Sequence, residues 1–268
     1  MKALQNAVFR LMIPSLIFSA VVFVPKMLFH SEEVSVAMFA TSVFGGISYW
    51  FTSALLVAQV VLLTLILLLK RKDIWSYLGC TAVLFAIGWY LNYIRTENTA
   101  EAFLPWYWKT GIEYTLLMAL GGVYMQYEQR INARWRYVVA VAAIVYLACT
   151  AFSFGGFSFR VMGLGGRCDL PGAVLILAGV TVVVALCRVM KGNRFFGFIG
   201  QNSIVFYFFS GVFPAFVGMI AQRAFPERAY IVTVAVAATS VALAWVATEL
   251  INRYAPFLVD LRKITKKK

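Results

Sequence analysis

Charge is scarce in this chain. Lys, Arg, Asp and Glu together make up 13% of its 268 residues, against roughly 25% in an ordinary soluble domain. That is too little to cover a water-facing surface, so a soluble globular fold is excluded. Histidine is scarcer still. The single His30 stands beside Ser31, Glu32 and Glu33 and reads as a solvated residue at a helix end. No Ser, His and acid arrangement, no HExxH and no phosphate-binding Gly-rich loop occurs. The four cysteines, Cys80, Cys149, Cys168 and Cys187, have no paired spacing. This excludes a disulfide framework and a zinc site and leaves them as small apolar packing residues. Short alternating strands are also missing, which excludes a barrel.

What the chain has is apolar length. Hydrophobic residues make up 62%, and runs of about 20 residues recur from end to end. The fold class is all-α, a polytopic helical membrane bundle forming one domain over residues 1–268. Eight spans are predicted, at 9–29, 48–69, 74–94, 106–126, 137–155, 172–189, 195–222 and 230–251. Of the 24 Lys and Arg, 17 fall on one set of alternating connections and termini and 7 on the other. The positive-inside bias then puts both termini in the cytoplasm, which an even number of spans satisfies. The net charge of +13 is topological, and no nucleic-acid partner is expected. No signal peptide, internal repeat or soluble domain is recognised. The apolar stretch 34–47 is short and ends in Gly45–Gly46, and reads as an interfacial or re-entrant piece.

Polar groups within hydrocarbon are costly, so those inside spans are site candidates. The densest cluster is "QNSIVFYFF", with Asn202, Ser203 and Tyr207, followed by Ser210. On a continuous helix these share one side, Asn202, Phe206 and Ser210 in one row and Ser203 and Tyr207 in the next. They are expected to face the protein interior, with Gly211 and Pro214 bending or breaking the helix. Their role is either helix packing through hydrogen bonds or lining of a cavity. In "SYWFTSALLVAQ", Ser48, Tyr49 and Trp50 suit an interfacial belt, while Thr52 and Gln59 lie deeper. In "WYWKTGIEY", Lys109 and Glu113 are four apart, either as a neutralised pair or as a charged cavity lining. Glu249 and Arg253 repeat that spacing and are expected to pair.

Three stretches carry a resemblance: "FRLMIPSLIFS" at 9–19, "SYWFTSALLVAQ" at 48–59 and "FIGQNSIVFYFFSGVFPA" at 198–215. With the closing "INRYAPFL", and in this order, they resemble the membrane acyltransferase 3 family, most closely bacterial members that acetylate cell-surface or capsular sugars. The resemblance implies a ten-helix bundle in the bacterial inner membrane with both ends cytoplasmic. It implies acyl-CoA as co-substrate, no tightly bound cofactor, and transfer of an acetyl or other short acyl group to a carbohydrate hydroxyl. The membrane lipids, acyl-CoA and the carbohydrate acceptor are the implied partners. The first span here aligns with the family's third helix, so two helices, with the family's essential histidine, are expected upstream of Met1. Of the two arginines that the family places three apart to handle CoA phosphates, Arg10 matches the second, and the first falls on Ala7. Ser210 stands where many members have histidine. A lipid-linked sugar flippase subunit, or a truncated and inactive paralogue, is the alternative reading.

Overall fold

The computed structural model describes residues 2–30, 34–46, 48–69, 73–97, 105–156, 170–189, 192–225 and 229–259. Cys168, the lysine-rich tail and the side chain of His30 lie outside the described part. Among the described residues there is no strand. The helices are α1 (Lys2–Ala7), α2 (Ile13–His30), α3 (Val36–Phe44), α4 (Trp50–Leu69), α5 (Ile74–Glu97), α6 (Trp108–Gln126) and α7 (Glu128–Ala133). They continue with α8 (Trp135–Phe154), α9 (Leu170–Val189), α10 (Arg194–Gln201), α11 (Ser203–Phe209), α12 (Val212–Ala224) and α13 (Ala229–Tyr254).

Every predicted span falls on helical segments, the one at 195–222 on three of them, α10 to α12. Among the described residues six helices are long and apolar enough to cross a membrane: Gln5–Pro25, Trp50–Leu69, Ile74–Leu91, Trp135–Ser153, Gly172–Val189 and Tyr230–Tyr254. The bent pair α11–α12 raises this to seven when taken as one span. The remaining predicted span, 106–126, forms the 19-residue α6, whose Lys109 and Glu113 dilute its apolar content. Length and composition thus support six or seven crossings where the sequence pattern counts eight. The chain is a multi-pass, all-helical membrane protein.

The helices form two compact units, divided within α4 between Leu56 and Val57. The first holds residues 1–56, 104–107 and 194–268. Its first span, Gln5–Pro25, contains a π turn, Val8–Met12, between α1 and α2. Pro14 explains the turn: it offers no N–H to the carbonyl of Arg10, and its ring clashes with that carbonyl, so the preceding turn widens. Helix α3 is the short apolar piece predicted at 34–47. Ser35 caps it by accepting from Met38 N–H at 3.1 Å, and Phe39 packs edge-on against Phe23 of α2. The core of the unit is Phe18, Val22, Tyr49, Phe208 and Val212. The Phe18 and Phe208 rings stack at 4.4 Å.

The second unit holds residues 57–103 and 108–193. Helices α5 and α6 pack closely because Gly88 has no side chain: a Cβ there would lie 2.9 Å from Glu113 Cγ and 3.2 Å from the Lys109 carbonyl oxygen. Small residues at such crossings let membrane helices approach and gain dispersion energy. Helices α8 and α9 run antiparallel, with Tyr146 against Gly179 and Trp135 against Arg188. Arg188 ties the ends of four helices together. Its guanidinium donates to Asn132 Oδ1 at 2.5 Å, to Glu128 Oε1 at 3.3 Å and to the Tyr124 hydroxyl, and lies 4.4 Å from the Trp135 ring centroid.

Candidate functional site

The stretches that carry the resemblance are far apart in sequence and meet in the first unit. Ser15, from the first, shares a buried 3.0 Å hydrogen bond with Thr52, from the second. Tyr49, also from the second, donates its hydroxyl to the Phe208 carbonyl in the third at 2.9 Å. Tyr207 returns the contact, its hydroxyl accepting the Phe51 N–H at 3.1 Å. The closing stretch joins as well. Asn252 donates to Asn202 Oδ1 at 2.9 Å, and Ile251 and Leu258 pack on the core.

The tyrosine exchange has a simple electrostatic logic. The first N–H groups and the last carbonyls of a helix lack partners within it. Phe51 is in the first turn of α4, and Phe208 is next to last in α11. The start of α4 is therefore satisfied by Tyr207 of α11 and the end of α11 by Tyr49, the residue just before α4, and the positive end of α4 meets the negative end of α11. In the bond to Phe51 the Tyr207 oxygen is the acceptor, which leaves its proton to donate elsewhere. Below Tyr49, Thr52 Oγ1 donates to the Tyr49 carbonyl at 2.9 Å.

Beside the junction lies a tight double turn. Gly46 has φ +69°, and a Cβ there would come within 2.5 Å of Ser53 Oγ, which donates to the Gly46 carbonyl at 2.9 Å. Trp106 and Tyr107 both have positive φ, 61° and 48°, a conformation that costs bulky residues of order 1 kcal/mol or more each. The Trp106 N–H donates to the Gly45 carbonyl at 2.7 Å, which helps to hold the turn. Tyr107 in turn lies 6.3 Å from the Trp50 ring. The result is a set of aromatic faces, Trp50, Phe51, Tyr107 and Tyr207, next to hydroxyl groups.

The predicted row on "QNSIVFYFF" does not survive as one buried face. Ser203 and Ser210 are exposed, Asn202 and Tyr207 are half-buried, and the buried residues of α11 are Val205 and Phe208. The physical reason is that the segment is not one helix. It breaks at Asn202 and again at Ser210–Gly211, so a single helical phase does not run through it. Asn202 makes its break stable: its Nδ2 donates to the Phe198 carbonyl at 2.9 Å. Ser210 does the same at the second, donating to the Tyr207 carbonyl at 2.7 Å. The predicted bend is present, 46° between α11 and α12, and Pro214 sits in the first turn of α12, where its missing N–H costs nothing.

Of the other candidates, Arg10 is exposed and lies within the π turn, and Trp50 is half-buried. Gln59, Lys109 and Glu113 belong to the second unit. Gln59 is half-buried. Lys109 donates to the Leu91 carbonyl at 3.4 Å, and Glu113 is only 1% exposed. The expected pair of Glu249 and Arg253 is replaced by other partners. The Trp245 indole donates to Glu249 at 3.1 Å, held in place by stacking on Phe195 and Phe198, and Arg253 lies over Tyr254. The Trp106–Tyr107 turn and the π turn were not foreseen, although Gly45–Gly46 and Pro14 were the available signals.

A family model described as an acyltransferase domain matches residues 1–249. No curated protein and no solved structure matches the chain. The family match takes in three of the four stretches that build the junction, and it covers nearly the whole of this multi-pass helical chain. The chain belongs to the membrane acyltransferase 3 family.

Proposed function

We propose that this protein transfers an acetyl or other short acyl group from cytoplasmic acyl-CoA to a hydroxyl of a cell-surface carbohydrate in the bacterial inner membrane. The observation that supports it best is the tyrosine exchange at the junction. In the reaction the sugar oxygen attacks the thioester carbonyl carbon, the C–S bond breaks, and the CoA thiolate leaves. Negative charge develops on the carbonyl oxygen, and a fixed donor aimed at it lowers the barrier. Tyr207 has that character, with its oxygen held by the Phe51 N–H and its proton left to give. Trp50 and Tyr107 offer flat apolar faces on which a sugar ring can rest, with polar groups beside them to orient it.

Arg10 is assigned to the CoA phosphates, since a guanidinium presents a planar fork to phosphate oxygens. Asn202, Ser203, Tyr207 and Ser210 are neutral donors without the basicity to take the sugar proton. The base is therefore placed outside these four. Gln59, Lys109 and Glu113 are given no part in the step.

The test uses membranes from cells producing the protein, incubated with radiolabelled acetyl-CoA, and measures alkali-labile label in the surface polysaccharide. Label above that of membranes lacking the protein is expected. Tyr207→Phe should lower the transfer rate by about 100-fold, the usual cost of one oxyanion donor. No label above background overturns the activity, and full transfer by Tyr207→Phe overturns the role given to its hydroxyl.

A further inference from the structure

A groove in the second unit has no part in the proposed acyl transfer. It is a shallow, open trough between α8 and α9 of about 510 Å³. Ala142 and Ala178 give it depth, Val141 and Leu177 line it, and Arg134 and Tyr137 stand at one end. Along α8 it extends from Arg134 to Val145, about 16 Å at the helical rise. That is close to one leaflet, which is about 15 Å of hydrocarbon.

The end of the groove is charged and uncompensated. Arg134 joins α7 to α8, and its backbone is fixed on both sides: its N–H donates to Ile131, and its carbonyl accepts from Tyr137 and Val138. Its guanidinium is exposed and has no partner among the described residues. The only acid in the connection "YEQRINARWR" is Glu128, and Arg188 already engages it at 3.3 Å. One cation at the mouth of a leaflet-long apolar trough matches one anionic headgroup above one hydrocarbon chain.

We propose that this groove binds an anionic phospholipid, an acyl chain lying along Val141 and Leu177 and the phosphate against Arg134. Tyr137 supplies a second donor. The bilayer around the protein is the source of the lipid. A short-chain acyl-CoA has no long hydrocarbon chain with which to fill a leaflet-long apolar trough.

The experiment is native mass spectrometry of the detergent-purified protein with equal amounts of dioleoyl phosphatidylglycerol and dioleoyl phosphatidylcholine. A preference of about fivefold for phosphatidylglycerol is expected, the roughly 1 kcal/mol of one basic group at an anionic surface. Arg134→Gln should abolish the preference, and Arg136→Gln should keep it. Val141→Trp, and independently Leu177→Trp from the opposite wall, should reduce both lipid adducts. Val141 and Leu177 are exposed in the folded protein, so the substitutions leave the core alone. A preference that persists in Arg134→Gln, or adducts undiminished in both Trp variants, overturns the proposal. So does a dimer that the Trp variants convert to monomer with lipid preference unchanged, because a second copy would then fill the groove.

Discussion

Tyr49→Phe removes one hydroxyl and leaves the ring. Tyr49 is 8% exposed and Phe208 is 0%, so water cannot replace the lost donor at the Phe208 carbonyl. The ring contact with Phe208, 4.8 Å between centroids, is kept, which isolates the 2.9 Å hydrogen bond from packing. An abandoned buried acceptor costs about 1–3 kcal/mol, while hydrogen bonds between membrane helices average about 0.6 and reach about 1.7 kcal/mol. Phe208 is followed by the helix break, so no later helical N–H stands ready for its carbonyl. The expected loss is therefore near the top of the membrane range, about 1.5 kcal/mol. Tyr49→Ala, which also empties the ring site, should lose about 3 kcal/mol or more. Both are read from unfolding of the purified protein by sodium dodecyl sulfate, followed by circular dichroism. If Tyr49→Phe unfolds with the wild type while Tyr49→Ala is much weaker, the hydroxyl contributes nothing and the exchange of tyrosines is not what joins α4 to α11.

Gly88→Ala should destabilise the second unit by about 1–3 kcal/mol through overpacking, because the new Cβ meets Glu113 Cγ at 2.9 Å and the Lys109 carbonyl at 3.2 Å; an unchanged unfolding midpoint contradicts this. Arg188→Lys keeps the charge but loses the planar fork and the face on Trp135. It should weaken the protein by about 1–2 kcal/mol, seen as faster proteolysis of the 127–134 connection, and unchanged cleavage would show that the cluster is ornamental to stability. A reporter active only outside the cytoplasm, fused after Lys268, should stay inactive if the 17 to 7 split of basic residues sets orientation; activity there reverses the topology.

The helices were legible because runs of about 20 apolar residues have few other uses. The contents of the site were less so. The resemblance singled out stretches that meet in the first unit, but Tyr49 and Phe208 are 159 residues apart, and no local pattern states which helix end a tyrosine will cap. The polar row misled for a different reason. Spacing arguments assume one uninterrupted helix, and "GQNS" and "FSGV" each hide a break stabilised by a side chain, Asn202 and Ser210, that looks like lining. At Glu249, the spacing to Arg253 was suitable, and Trp245, equally four residues away on the other side, took the carboxylate instead.

The π turn at Val8–Met12 gives this span a tolerance for change in length that ordinary helices lack. Deleting a residue from an α-helix turns everything beyond it by about 100°, exchanging buried for exposed faces. A π turn already encloses one residue more in each hydrogen-bonded ring. Removing a residue there lets the turn tighten, a kink at Pro14 taking the place of the wide turn, with Ala7 on one side and Ser15 and Phe18 on the other keeping their places in the core. Single-residue deletions in this span thus have one address the fold can absorb. Such a deletion would register at Arg10, whose side chain would be carried around the helix while the protein remained folded.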